Sequence, residues 1–169
     1  QACGEFGEGK MSSVEDIFNE INNYFKIISN NKKLKALVTA GPTVEPIDPV
    51  RFISNRSSGK QGYEIARALA DNGYDTTLIT GPTNLKIPSN LSVIKINTAD
   101  QMLEQTLKNL PADVAIFSAA VSDFKIDNFS ESKIKKSQNM KLNLERNIDI
   151  LNLVCLLYTS DAADDVYCV

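Results

Sequence analysis

The segment Ser54–Gly62 combines residue types that proteins use to bind anions: side-chain amides, three serine hydroxyls and two glycines. It leads into the run Tyr63–Asn72, which is typical of a helix. The free N–H groups and the positive dipole end of a helix N-terminus favour an anion at that point. The same residues would also form an ordinary helix cap rich in serine and glycine, so both interpretations stay open locally.

Two common phosphate-binding motifs are excluded by inspection of the sequence. A P-loop would need glycine at the position of Ser54 and serine or threonine at the position of Gln61. The G-x-G-x-x-G pattern of dinucleotide-binding proteins is absent from the chain. A phosphate site at this segment would therefore follow a different pattern.

Three other features could contribute to a nucleotide site. The basic cluster Lys133–Lys136 is either a solvated loop or a lid that brings ammonium groups to a triphosphate and stabilises a leaving pyrophosphate. Asp123 follows a strand-like run and either caps a turn or holds a nucleotide hydroxyl or a magnesium ion. Asn55 is either a turn former or an amide suited to a mixed-anhydride carbonyl or a phosphate. The small residues Ser118–Ala120 would let a base or ribose approach the backbone, although small residues at strand ends are also ordinary packing.

The hydrophobic pattern predicts an α/β fold. Apolar runs of five to seven residues predict four buried strands, at Leu34–Ala40, Tyr74–Thr80, Leu91–Ile96 and Asp113–Phe117. Helical patterns separate them, one from about Gly59 and one capped by Thr98 and continuing through Leu110. This alternation predicts a Rossmann-like, doubly wound and mostly parallel sheet. The segments Gly41-Pro42, Gly81-Pro82 and Ser118–Ala120 would then line its ligand-binding edge.

The other segments are predicted less sharply. An apolar stripe from Val14 to Ile28 predicts a helix, started by a capping box of Ser12 with Glu15 or of Ser13 with Asp16. We expect Pro42–Ser58 to be a long irregular stretch with a function. The later predictions are a strand at Met140–Leu144, a helix beginning within Asn147–Leu157 and little packed structure in Tyr158–Val169.

Composition excludes several chemistries. The 169 residues carry a net charge of −3 and no histidine, which removes Ser-His and Cys-His catalysis and most zinc sites from this chain. The three cysteines have no metal or redox spacing. No apolar run approaches the roughly 20 residues that span a bilayer. We therefore expect a cytoplasmic protein that binds neither nucleic acid nor membrane.

Four segments in this order resemble phosphopantothenoylcysteine synthetase, in the bacterial form that is fused behind a flavin-dependent phosphopantothenoylcysteine decarboxylase. They are Val38–Arg51, Ile53–Lys60, Ala119–Phe124 and Lys133–Lys136. The resemblance covers Leu34 to about Val154. In addition, Ala2–Met11 resembles the last loop of the decarboxylase half, where a cysteine donates a proton.

The resemblance implies a division of the chain. Residues 1–11 would be the remnant of the decarboxylase loop, 12–33 a linker helix and 34–154 an incomplete synthetase domain, truncated at its C-terminus. The segment 155–169 matches nothing in the family's pattern, and we expect it to be a foreign or disordered tail. We also expect weak or no turnover from this chain, because the family's domain continues beyond the position of Val154.

The family's ligase activates 4'-phosphopantothenate with CTP, releasing pyrophosphate and forming an acyl-cytidylate that cysteine attacks. The resemblance implies catalytic roles for Asn55, Lys133 and, as proton donor of the decarboxylase half, Cys3. It implies nucleotide contacts by Ser57, Ser58, Gly59, Phe117, Ser118, Ala119, Asp123 and Lys133. It further implies Mg²⁺ with the triphosphate, FMN in the decarboxylase half and a homo-oligomeric parent with a synthetase dimer.

Two other functions are alternatives for this sequence. A Rossmann oxidoreductase would need the missing glycine fingerprint and an acidic residue at the end of the second strand, where Thr80-Gly81 stands. A non-catalytic binding or assembly fragment would use the stripe Val14–Ile28 to dock on a partner. The choice between CTP and ATP stays open, with CTP favoured by the bacterial type of fusion.

Overall fold

The computed structural model describes residues 13, 15–17, 19, 33–135 and 141–159. It divides into two units, Gln1–Lys33 and Leu34–Val169. In the first unit, residues 15–17 and 19 are helical and Ser13 caps their start, since its Oγ accepts from the Asp16 N–H at 3.1 Å. This confirms the alternative that begins the helix at Ser13. Cys3 and most of the apolar stripe lie outside the described residues.

The second unit contains the predicted α/β elements. Its described strands are β1 (Lys35–Ala40), β2 (Val44–Pro46), β3 (Phe52–Ser54), β4 (Asp75–Thr80), β5 (Ser92–Lys95), β6 (Val114–Phe117), β7 (Phe124–Ile126) and β8 (Leu144–Arg146). Its described helices are α1 (Lys60–Asp71), α2 (Ala99–Asn109) and α3 (Ile150–Thr159).

The four apolar strands form one parallel sheet in the order β5-β4-β1-β6. Strand β1 lies in the middle, and the chain moves outward on one side to β4 and β5 before it returns to the other side at β6. The crevice between β1 and β6 is therefore the topological switch point, where sheets of this kind bind ligands. The predicted Rossmann-like fold class is confirmed.

Helices cover both faces of this sheet. Alternate residues of β1 point to opposite sides, so that Leu37 packs in one core and Val38 in the other. The first core also contains Met102 of α2 and Ile150 of α3. The second contains Tyr63 of α1, which is 3% exposed. Burial on both faces explains why β1 and β6 are almost continuously apolar.

The capping signals around α2 are confirmed. Thr98 accepts from the Gln101 N–H at 3.3 Å, while the Gln101 side chain accepts from the backbone N–H of Thr98 at 3.3 Å. This is a complete capping box. Met102 and Thr106 of this helix are buried, whereas Leu107 is 40% exposed.

Two sequence predictions for segments outside the central sheet are wrong. The stretch Pro42–Ser58 contains an antiparallel hairpin of β2 and β3, whose three-residue strands are too short to show a clear period. The strand predicted at Met140–Leu144 lies later, since β8 begins at Leu144 and pairs with β7. Leu142 and Leu144 are 40% and 50% exposed, so their alternation does not mark a buried face.

The last helix begins within the predicted range but extends further than expected. It begins at Ile150, because the Asp149 carboxylate accepts from the Asn152 N–H at 3.0 Å and caps the helix there. It continues to Thr159, past the point where the sequence predicted little packed structure. Residues 160–169 lie outside the described part of the chain.

Candidate functional site

The chain segments that follow β1 and β6 stay side by side at the carboxyl edge of the sheet. The Ala120 N–H donates to the Gly41 oxygen at 2.8 Å, and the Thr43 N–H donates to the Ala120 oxygen at 3.2 Å. Pro42 and Ala120 form an isolated parallel bridge between them. The small side chains of this edge allow the two segments to approach each other closely.

Asn55 is brought to this edge from the hairpin of β2 and β3. Its Nδ2 donates to the Val121 oxygen at 2.9 Å and lies 3.4 Å from the Ala120 oxygen. Ser54 holds the same turn in place, because its Oγ donates to the Thr43 oxygen at 2.7 Å. Two segments that are far apart in sequence are thus joined at the carboxyl edge of the sheet.

The serine and glycine residues lie at the start of α1. Gly59 has φ of +72°, and a Cβ built there would lie 2.8 Å from Thr83 Cγ2 and 3.1 Å from Gly41 Cα. Glycine therefore lets the helix begin directly against the end of β1. Ser57 Oγ accepts a long hydrogen bond from the Gly59 N–H at 3.3 Å, and Ser58 Oγ accepts one from the Lys60 N–H at 3.4 Å.

The N-terminus of α1 has the features of an anion site. Among the described residues, no side chain caps this helix and no acidic residue occupies its first turn. The first residue of the helix is Lys60, whose exposed side chain adds positive charge near the dipole end. The helix N-terminus is accordingly electropositive.

A cavity of about 550 Å³ opens beside the end of β6. Phe117, Ala119 and Asp123, three of the residues predicted to contact a nucleotide, line it. The described wall does not include Ser118, nor any of the other predicted site residues. The structure therefore divides the predicted residues between this cavity, the N-terminus of α1 and the lysine segment.

The opposite wall of the cavity was missed by sequence reasoning. It consists of residues 146–151, which connect β8 to α3. Asn147 anchors this connection to the edge, since its Nδ2 donates to the Ser122 oxygen at 2.7 Å and its N–H donates to the Asp123 oxygen at 2.9 Å. The sequence feature that could have indicated this wall is Asn147-Ile148-Asp149, in which two polar residues stand between a strand and a helix.

The lysine segment is placed against the turn between β2 and β3. Lys133 and Lys135 are exposed, and the backbone of Ile134 between them is bonded to Asp48 and Arg51. Lys136 lies outside the described residues. The structure thus brings this segment to the hairpin that carries Asn55.

The Asp48 carboxylate is the most strongly perturbed group near the site. The Arg51 guanidinium beside it, helped by backbone N–H groups of Val50, Ile134 and Arg51, holds the pKa of Asp48 well below its usual range. Burial acts in the opposite direction and is outweighed. Asp48 is therefore a fixed negative charge within the turn.

A second ionic contact ties the β7–β8 hairpin to α2. Lys125 Nζ lies 3.2 Å from Asp100 Oδ2 and 3.6 Å from Glu145 Oε1. The hydrogen bond to Asp100 is the main reason that the pKa of Lys125 is raised. The hairpin that flanks the cavity is thus attached to the helix below it.

In the part of the chain that the structure describes, no group of three or more His, Cys, Asp or Glu side chains could hold a metal ion. Within those same residues, no helix is long and apolar enough to cross a membrane.

The sheet order and the cluster at its switch point define a Rossmann-like α/β domain. The chain belongs to the family of the DNA/pantothenate metabolism flavoprotein C-terminal domain, whose model matches residues 31–163. The resemblance found in the four sequence segments is confirmed at the level of the family.

Named relatives agree with this assignment. The chain is 43% identical over 164 residues to the coenzyme A biosynthesis bifunctional protein CoaBC of Haemophilus influenzae, a match that covers 94% of this chain and 40% of that protein. The chain thus spans less than half of that curated relative.

Solved structures show the same fold. The C-terminal domain of a coenzyme A biosynthesis bifunctional protein CoaBC matches with a TM-score of 0.66 and 34% identity, covering 83% of this chain and 64% of that one. The DNA/pantothenate metabolism flavoprotein from Streptococcus pneumoniae matches with a TM-score of 0.65 and 28% identity. This match covers 80% of this chain and 67% of that one.

Proposed function

We propose that this chain carries the ligase part of a bifunctional coenzyme A biosynthesis protein, which joins 4'-phosphopantothenate to cysteine at the expense of CTP. The observation that carries the proposal is the cavity at the switch point, lined by Phe117, Ala119 and Asp123. Relatives named as coenzyme A biosynthesis proteins support the choice of pathway. The parent would also decarboxylate the product, with Cys3 as proton donor and FMN bound in its other half.

The cavity is proposed to take the nucleoside. Its volume of about 550 Å³ lies within the range of small-molecule sites. Ala119 leaves room for a planar base beside the backbone, and Phe117 offers an apolar surface. Asp123 would accept from a ribose hydroxyl, and the neighbouring Ser118 would contact the nucleotide through its backbone.

The phosphates are proposed to lie toward the N-terminus of α1. There Ser57, Ser58 and Gly59 present hydroxyl and N–H groups at the positive end of the helix dipole. Lys133 would add a cation that stabilises the charge developing on the leaving pyrophosphate. The phosphopantothenate carboxylate would attack the α-phosphate from the side of Asn55.

Asn55 is proposed to hold the acyl-cytidylate. Its amide already lies at the edge between the two strand ends, fixed by the Val121 oxygen at 2.9 Å. The fold thus orients the Asn55 amide before a ligand binds. A bound acyl-cytidylate would take the place of the Val121 oxygen as its partner. The amine of cysteine then attacks the acyl carbon, and CMP leaves with the bonding electrons of the broken acyl–oxygen bond.

A magnesium ion fits the residues present as a companion of the triphosphate. Magnesium bound in this way takes most of its ligands from phosphates and water and needs one or two carboxylates, so the absence of a larger acidic group among the described residues does not conflict with it. Bound with the triphosphate, the ion would neutralise phosphate charge.

Calorimetric titration with CTP, and separately with ATP, in the presence of magnesium tests the proposal. We expect saturable binding of CTP that ATP competes with weakly. Binding of NAD(P) that CTP does not displace, with no heat from CTP, would overturn the proposal in favour of an oxidoreductase. A coupled assay should detect pyrophosphate release that requires CTP, phosphopantothenate and cysteine together.

A further inference from the structure

The segment that carries the exposed lysines is attached to the β2–β3 turn at two levels. The Ser130 N–H donates to the Ile47 oxygen at 3.2 Å. Further along, the Ile134 N–H donates to Asp48 Oδ2 at 3.1 Å, and Arg51 Nη2 donates to the Ile134 oxygen at 3.1 Å. Both polar groups of the Ile134 backbone are therefore used to hold the segment in place.

The two carboxylate oxygens of Asp48 bind different groups. Oδ1 accepts from the N–H groups of Val50 and Arg51, both at 2.9 Å, and so shapes the turn. Oδ2 forms an ion pair with the Arg51 guanidinium and also accepts from Ile134. The Asp48 side chain has no exposed surface, whereas the Arg51 side chain is 40% exposed. A buried carboxylate with so many donors is held in one orientation, since each lost bond would leave a buried polar group unpaired.

The position of the turn links this attachment to the proposed site. Strand β3 begins directly after Arg51 and ends at Ser54, so Asn55 follows the turn by four residues. On the other side of the contact, Lys133 and Lys135 flank the anchored residue and are exposed. One buried carboxylate thus fixes the lysine segment against the turn that precedes β3, and β3 leads from that turn to Asn55.

We propose that Asp48 is a positioning residue, which holds Lys133 and Lys135 at the triphosphate end of the site through the Ile134 backbone. This inference rests on the proposed function for the role of the lysines, and on the described contacts for the attachment itself. Asp48 does not touch the nucleotide in this scheme. Its effect on binding is exerted through the lysine segment.

Hydrogen–deuterium exchange of the full chain tests the attachment without any ligand. In the variant Asp48→Asn, which removes the charge that pairs with Arg51, we expect exchange in residues 130–135 to accelerate about tenfold or more, with α1 and α2 unchanged. The control is Asp127→Asn, an exposed carboxylate on the same stretch that accepts from the Asn128 side chain. Equal exchange in the two variants would overturn the proposal.

A double-mutant cycle tests the effect on the lysines. Asp48→Asn and Lys133→Ala should each weaken CTP binding about tenfold, and the double variant should be little weaker than either single variant. A merely structural role of Asp48 would instead give additive losses, which would overturn the inference. If the unaltered chain binds no CTP, the proposed function is what fails, and the exchange measurement then decides the attachment by itself.

A second variant covers the case in which Asp48→Asn does not fold. Ile134→Pro removes the N–H group that donates a hydrogen bond to Asp48, and it leaves the ion pair between Asp48 and Arg51 in place. It lies in an irregular surface segment, so the sheet should remain intact by circular dichroism. We expect the same loss of CTP affinity as for Asp48→Asn, and unchanged affinity would contradict the proposal.

Discussion

Asn55 Nδ2 lies 2.9 Å from the Val121 backbone oxygen, a contact between residues 66 positions apart. It joins the turn after β3 to the segment that leaves β6. The relationship places a side chain capable of both donating and accepting at the switch point of a parallel sheet.

Replacing Asn55 by aspartate should separate the turn from the sheet edge. A carboxylate at this position would face the Ala120 and Val121 oxygens without a proton to share. We expect the free energy of unfolding in urea to fall by about 1–2 kcal/mol. The matched control Asn84→Asp changes an exposed amide and should have almost no effect, and equal losses in both variants would contradict the contact.

Replacing Gly59 by alanine should destabilise the protein more than replacing Gly73. Both glycines have positive φ, at +72° and +90°, so both variants carry backbone strain. A Cβ at Gly59 would lie 2.8 Å from Thr83 Cγ2, whereas nothing lies within 4 Å of one at Gly73. We expect Gly59→Ala to lose about 1 kcal/mol more than Gly73→Ala in thermal or urea unfolding. No difference would mean that α1 does not begin against β1.

The contribution of Asp48 to stability should be independent of pH in the neutral range. Its pKa is lowered in the folded protein, so the stabilisation is complete above the unfolded pKa of about 3.9 and is lost as pH falls toward the folded value. The difference in unfolding free energy between the unaltered chain and Asp48→Asn should be constant from about pH 5 to 8 and shrink below about pH 4. A difference that disappears between about pH 5 and 7 would contradict the lowered pKa.

Filling the cavity should block nucleotide binding and spare the fold. Ala119→Phe would place a ring in a space of about 550 Å³ that is otherwise open beside β6. We expect at least about a tenfold loss of CTP affinity by calorimetry, with an unchanged circular dichroism spectrum. Ala68→Phe, the same change at an exposed position of α1, is the control and should bind CTP normally. Equal affinity of the two variants would place the nucleotide elsewhere.

Much of the central sheet was predictable because its signals are local. The four parallel strands, the capping box at Thr98 and the helix that starts after Gly59 each follow from neighbouring residues whose burial or hydrogen bonding is repeated with a fixed period. The two hairpins were mispredicted, since strands of three residues such as β2 and β8 are too short for a period to be visible. The cavity wall formed by residues 146–151 was missed for a related reason, because a connection has no period at all.

The sequence by itself determined the class of fold, the candidate residues and the family, since periodicity, composition and the order of four segments are properties of the linear chain. The tertiary structure decided which of those residues meet. Asn55 reaches Val121, and Asp48 reaches Ile134 across 86 positions, and no local pattern specifies either contact. Burial patterns state that a residue lies inside, but they do not specify its partner, which depends on how distant elements pack.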